Sequence, residues 1–367
     1  LEVRRRLPGG PTGELVAAEL NVALALSAAE DWAGAEALYR EAVATARRLG
    51  YAHELSSALS GLSALLYDTG RASEALPMQD EAIEVRRSMK IESDPVFVVL
   101  LMNRAYILSI MDRNSEAERS ASEAVELARR VLPPGHPNLI LALLRYATCL
   151  TDQQDFEKAE PLAQESARLS TATNGAVHPI TAEAIYREGL CRQKLGHPEE
   201  AEPLFRAAIA ADPAGEEPVS ITDPMTGLGS IMAGRKEFDA AAEIYREVLD
   251  RREKQYGEKD LRTTAAIHDL GVVLFRAGKG EEGIELTRRA LSIEAELLGT
   301  GHARTVGTGR ELGKMLLRSG RAQEGLEVMT QLVEDEGADS GPGHWRVASA
   351  KIARGSCLVK LNRLPEA

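Results

Sequence analysis

Gly70-Arg71-Ala72-Ser73-Glu74-Ala75 returns as Gly320-Arg321-Ala322-Gln323-Glu324-Gly325, with altered copies between and around them. The closing small residue falls at Ala35, Ala75, Ala117, Ala159, Ala201, Ala241, Gly283, Gly325 and Ala367, in gaps of 40, 42, 42, 42, 40, 42, 42 and 42 residues. Self-similarity at such a period marks a solenoid, in which each unit buries its apolar face against its neighbours. Upstream of the quoted stretch, Leu59, Leu62, Leu65 and Leu66 recur at three- and four-residue spacing, which predicts one apolar stripe on a helix. Gly70-Arg71 breaks that helix. A second opens at Ser73-Glu74-Ala75 and carries Met78, Ala82, Ile83 and Val85. The fold class is therefore all-α, an α-solenoid built of repeated helix pairs.

Small residues recur at two further places where helices must approach closely. Twelve before the anchor stand Ser63, Ala105, Ala147, Gly189, Gly229, Gly271 and Gly313; seven after it stand Ala42, Ala82, Ala124, Ser166, Ala208 and Ala290. Both ends of the chain fall inside repeats. Leu1–Leu7 matches Ile83–Met89, and Ala367 is itself an anchor. Residues 1–367 are read as one continuous solenoid truncated at both ends, an interior slice of a longer protein. One irregularity stands out: Pro213, Pro218 and Pro224 cluster where the period shortens to 40. Asp212-Pro213 is expected to end one helix and Asp223-Pro224 to cap the next, with proline in its first turn. That first helix should be about a turn shorter than its equivalents, and residues 213–223 form either a hinge or a plain loop variant.

Composition excludes several functions. A net charge of −12 argues against nucleic acid as a partner, because phosphate affinity needs concentrated Lys and Arg. The longest apolar run, Pro95–Met102, is far too short to cross a membrane. Cys149, Cys191 and Cys357 each lie ten residues before an anchor, where other repeats place Leu65, Ile107, Val273 or Met315. They stand in for core aliphatics, as reduced thiols do in a cytoplasmic protein.

No catalytic constellation is present. His136, His178, His302 and His344 share one repeat position, so neighbouring copies lie about 10 Å apart, while zinc needs ligands at about 2 Å. They are expected to order the connector, with no metal. Gly307-Thr308-Gly309 and Gly313-Lys314-Met315 lack phosphate-loop spacing and its hydroxyl, so no cofactor is expected. This stretch of chain reads as no enzyme.

The small-residue positions, the Gly-Arg-x-x-Glu-Ala turn and the connectors Gly135-His136-Pro137 and Val177-His178-Pro179 resemble the tetratricopeptide repeat, in the 42-residue form of kinesin light chains and many bacterial proteins. The resemblance spans essentially the whole chain. It implies an α-solenoid of stacked antiparallel helix pairs in a right-handed superhelix, whose first helices line a concave groove for a peptide or a partner helix. The residue fourteen before each anchor then faces that groove, aligning Asn103, Arg145 and Arg187 on three consecutive repeats. Tyr106 and Thr148 lie one helical turn further on, Gln193 lies two turns beyond Arg187, and Tyr186 adds a second aromatic. Such a row can hold a peptide backbone and fork onto acidic side chains. A second basic row, seven before the anchor, runs through Lys194, Arg276, Arg318 and Lys360. In some family members five Lys, Asn and Arg residues clamp a C-terminal carboxylate. Asn103 and Arg145 match two of those positions, but Ser60, Ala64 and Leu141 occupy the others. Glu188 and Arg192 interrupt the apolar seam four residues apart and are expected to pair with each other.

The expected function is a non-catalytic protein-interaction array centred on repeats three to five, taking an acidic protein or peptide segment. Two alternatives stay open. One is a C-terminal sensor or docking arm of a larger signalling enzyme, such as a bacterial serine/threonine kinase or a nucleotide-switched regulator. The other is a scaffold that self-associates.

Overall fold

A computed structural model describes residues 13–90, 94–211, 222–340, 345–363 and 366. Among them are seventeen helices in two compact units. The first unit holds α1 (Gly13–Ala28), α2 (Trp32–Leu49), α3 (Ala52–Asp68), α4 (Ala72–Ser88), α5 (Pro95–Ile110), α6 (Asn114–Val131), α7 (Pro137–Asp152), α8 (Phe156–Asn174), α9 (Pro179–Lys194) and α10 (Pro198–Ala211). The second holds α11 (Thr222–Gly234), α12 (Phe238–Tyr256), α13 (Leu261–Arg276), α14 (Gly280–Leu298), α15 (Ala303–Arg318), α16 (Ala322–Ser340) and α17 (Trp345–Lys360). Within each unit, consecutive helices pack as pairs, as the repeat predicts.

Why these segments start and stop where they do is visible in the caps. His136, His178 and His302 each precede a first helix. Their Nδ1 atoms accept from the backbone N–H groups of Asn138, Ile180 and Arg304 at 3.1, 3.2 and 3.2 Å. Asp94 and Asp260 do the same for Val96 and Arg262. The repeated histidines are thus N-caps, each satisfying a donor that the helix itself leaves orphaned; His344 lies outside the described residues. At the turn inside each pair, glycines such as Gly70, Gly278 and Gly320 hold φ between 78° and 86°, which a side chain would resist. Where arginine follows, as after Gly70 and Gly320, it forks onto the glutamate three residues later. Arg71 reaches both Glu74 oxygens at 2.7 Å, and its remaining nitrogen crosses to Glu36 of the preceding pair at 3.0 Å. Arg321 repeats this with Glu324 and Glu281.

The small residues sit at helix crossings. The anchors Ala75, Ala117, Ala159, Ala201 and Ala241 are completely buried at 0% exposure, and so are Ala42, Ala82, Ala124 and Ala290. Not every glycine is a contact, however. A Cβ on Gly307, within α15, would meet nothing within 4 Å. Gly307→Ala should therefore stabilise the second unit by about 0.5–1 kcal/mol, through helix propensity alone. The measurement is the urea midpoint, which should rise at constant slope.

One asymmetry decides which side of each unit is the inner one. First helices touch first helices: α1 meets α3, α5 meets α7, α7 meets α9, and in the second unit α13 meets α15 and α15 meets α17. Second helices are instead bridged by long ion pairs between consecutive repeats. Arg47 reaches Glu81 at 2.6 Å, Arg87 reaches Glu123 at 2.9 Å, and Arg129 reaches Glu165. In the second unit Arg246 reaches Glu282 at 3.2 Å and Arg288 reaches Glu324 at 3.4 Å. Close packing on one side and extended bridges on the other put the first helices on the tighter face.

The irregular step is partly as expected. α11 has 13 residues against 16 in α9 and α13, about a turn shorter. Its start differs: Asp223 lies inside the first turn, not before it, and bridges Arg252 of α12 at 3.1 Å. The hinge expected at 213–223 falls mostly outside the described residues.

Candidate functional site

The inner face of α5, α7 and α9 brings most of the expected residues together. Tyr106 stands 37% exposed on α5, unusually open for a tyrosine at a helix–helix junction. The Arg145 guanidinium of α7 lies over its ring, 4.7 Å from the centroid. From the other side, Tyr67 of α3 meets Tyr106 edge-on, with ring centroids 5.3 Å apart and planes at 72°. Three consecutive repeats therefore contribute to one stacked ledge. Stacking holds the guanidinium plane while leaving its N–H fork available. Among the described residues, no carboxylate lies within ion-pair distance of Arg145.

Beside this ledge is a cleft of about 220 Å³, lined by Ala105, Tyr106, Ser109, Ile110, Arg145, Thr148, Cys149 and Asp152. Its floor is apolar, with Ile110 half exposed. Thr148 turns its hydroxyl back onto the Leu144 carbonyl at 3.0 Å, so it offers an acceptor oxygen and not a donor. The Asp152 carboxyl sits above its usual pKa because it is desolvated, with Arg187 and the Ser109 hydroxyl pulling the other way. Cys149 is buried and its thiol is pushed up to about 11, chiefly by burial; Cys191 behaves likewise. These are packing thiols, as their repeat position predicts.

The remaining expected residues behave less uniformly. Asn103 lies half-buried on the same face of α5, one turn before Tyr106. Arg187 is partly consumed inside the protein. It faces Glu183 of its own helix at 3.7 Å and donates to Thr151 of α7 at 3.4 Å, so it ties α9 to α7. Tyr186 packs on Phe205 of α10, with ring centroids 6.0 Å apart, and belongs to the core more than to the ledge. Gln193 is half-buried and Lys194 exposed at the far end of α9. Arg276 lies in the second unit, on α13, where it lines a separate cleft with Asp269 and Glu311. The sequence pattern missed Tyr67, Ser109, Ile110 and Asp152.

Two seam charges need correction. Glu188 and Arg192 do not pair as their spacing suggests. Arg192 bridges Glu160 of α8 at 2.6 Å and Glu200 of α10 at 2.9 Å, while Glu188 accepts from Gln164 of α8 at 3.2 Å. Arg104 is likewise structural, held by Asp80 and Ser120 at 2.6 Å each. A roomier cleft of about 540 Å³ lies where α4 and α6 flank the start of α5. Its Arg86 and Arg87 are already engaged by Asp94 and Glu123. Among the described residues no group of His, Cys, Asp and Glu could hold a metal ion, and no helix is long and apolar enough to cross a membrane.

Stacked helix pairs with an open, side-chain-lined inner face define a helical-repeat interaction array. The chain belongs to the tetratricopeptide repeat family: models of that repeat match residues 14–88, 97–172 and 138–214, and related ones match 186–258 and 263–304. Among solved structures it is similar to a tetratricopeptide repeat protein from Parabacteroides merdae, at 16% identity over 83% of this chain and 98% of that one, with a TM-score of 0.52. It is also similar to BtubC (BKLC) from P. vanneervenii, at 16% identity over 72% and 91% of the two chains, with a TM-score of 0.46. A third is a kinesin light chain-like protein of Podosopora anserina with nearly identical TPR-like repeats, at 18% identity over 56% and 98%, with a TM-score of 0.47. No curated protein matches the chain.

Proposed function

We propose that the first unit is a non-catalytic docking module whose inner face, from α3 to α9, captures an acidic segment of a partner protein in a reducing, cytoplasmic setting. The observation that carries this reading is Arg145: stacked on Tyr106 at 4.7 Å, it has no carboxylate partner within the described residues. In a chain with 56 acidic residues, where Arg47, Arg87 and Arg129 of the second helices each bridge to the next repeat, the braced Arg145 fork is left available to an acid from outside. The adjoining cleft, with Ile110 and Ala105 on its floor, takes a small apolar side chain next to that acid. Burying an apolar side chain there adds about 25 cal/mol per Å² removed from water, and the carboxylate supplies direction.

A peptide array of acidic and acidic–apolar sequences, probed with the protein and with Arg145→Ala, tests this. Native protein should hold a subset in which an acidic residue neighbours a small aliphatic one, and Arg145→Ala should lose that subset by about tenfold or more, the value of one charged hydrogen bond. An unchanged spot pattern would remove Arg145 from the site. Arg187 is deliberately spared. Glu183 is only 7% exposed, and removing its arginine would destabilise the fold as well as the face.

A further inference from the structure

Along the first helices of the first unit the signs are mixed: Asn103, Arg145 and Arg187 stand fourteen before the anchor, and Asp68, Ile110, Asp152 and the basic Lys194 stand seven before it. In the second unit the two positions segregate by sign. Asp269 and Glu311 stand at the earlier position, and Arg276, Arg318 and Lys360 stand two turns later, each in the last turn of α13, α15 or α17. These three cations are exposed, on helices that pack side by side. Among the described residues none of them has a carboxylate partner within ion-pair distance, whereas Asp269 faces His268 at 3.3 Å and Glu311 faces Lys314 at 3.3 Å. Arg318 lies over the Phe275 ring, 5.3 Å from its centroid, so it too is a braced guanidinium. A cleft of about 480 Å³ between α13 and α15 runs from Asp269 and Glu311 to Arg276.

We propose that this comb is a second docking surface, separate from the ledge of the first unit, for an extended acidic polypeptide laid across the ends of α13, α15 and α17. The spacing sets the pattern of the occupant. Packed helices sit about 8–10 Å apart, and a chain in the extended polyproline II form advances about 9 Å in three residues, one full turn, so every third side chain faces the same way. An acid at every third position therefore meets Arg276, Arg318 and Lys360 in turn. Asp269 and Glu311 repel acids from the middle of the helices and confine the segment to their ends. A cation in the last turn also relieves the negative helix terminus, which explains one such residue but not a partnerless set in register on three helices.

The test is fluorescence anisotropy at low ionic strength with two labelled peptides of one composition, one with Glu at every third position and one with its glutamates in a single block. The spaced peptide should bind at least about tenfold more tightly, and Arg318→Glu or Arg276→Glu should remove that binding, since reversing a charge turns attraction into repulsion. Arg145→Ala should leave it unchanged, so this surface and that of the first unit succeed or fail independently. Both arginines are exposed; should a reversal disturb helicity, Arg318→Gln and Lys360→Gln serve in its place, each weakening binding. Equal affinity for the two peptides, or spaced-peptide binding that survives the substitutions in a folded protein, overturns the proposal.

Discussion

Phe205→Ala is expected to lower the stability of the first unit by about 3–5 kcal/mol, the range for truncating a fully buried aromatic. Phe205 is at 0% exposure and is among the largest completely buried side chains of the protein. Its ring fills the space left by Gly189, where an added Cβ would already stand 2.9 Å from it, and it packs on Tyr186 with ring centroids 6.0 Å apart. In a repeat array, stability is the sum of each unit and its nearest-neighbour interfaces, so the loss concentrates on the α9–α10 pair. Amide exchange should therefore accelerate in α9 and α10 well before α3 to α6, and the urea transition should broaden or split. A uniform loss of protection across the unit would show that the repeats do not behave as separable neighbours.

Gly271→Leu is the second large effect. At this crossing the backbones of α13 and α14 nearly touch. A Cβ on Gly271 would stand 2.6 Å from the Thr287 hydroxyl and 3.0 Å from the Gly283 carbonyl oxygen. The reciprocal contact is tighter still, with a Cβ on Gly283 falling 2.6 Å from the Gly271 carbonyl and 2.7 Å from the Phe275 nitrogen. Backbone cannot swing aside as a side chain does. Inserting leucine must separate the helices, at a cost toward the upper end of the ~1–3 kcal/mol typical of overpacking. Gly307→Ala, on the next first helix of the same unit, should go the other way, so the pair distinguishes close approach from mere glycine content. Thermal unfolding of the two variants side by side is the measurement, and a stable Gly271→Leu would mean the crossing is looser than it stands here.

Most of the fold was legible in the sequence because a repeat states the same packing problem many times. Ser63 illustrates the point. Read as a small residue at a crossing, it is buried and donates to the Ala75 carbonyl at 2.9 Å, the anchor of its own repeat. The histidine connectors were legible in position but not in mechanism, since an N-cap bond to the residue two later depends on backbone angles that spacing does not encode. The site was half legible. Arg145 and Tyr106 lie on neighbouring first helices, one helical turn apart in repeat register, so the repeat alignment placed them near each other. Tyr67 and Asp152 escaped because they sit at the positions eight and seven before the anchor, whose chemistry changes from repeat to repeat, as Phe275 and Leu317 at one and Ile110 and Gly234 at the other show; following those columns beside Tyr106 would have found them. Glu188 and Arg192 were mispaired for a simpler reason. Spacing along one helix says who is near in sequence, while Gln164, Glu160 and Glu200 arrive from helices on either side.

The most direct test of the docking account is a double-mutant cycle on a peptide selected by the first unit, combining Arg145→Ala with replacement of the peptide's acid by its amide. Calorimetric affinities of the four combinations should give a coupling energy of about 1–3 kcal/mol, as expected for a charged hydrogen-bonded pair. If the two changes simply add, the acid does not meet Arg145, and the ledge on Tyr106 is not where the partner binds.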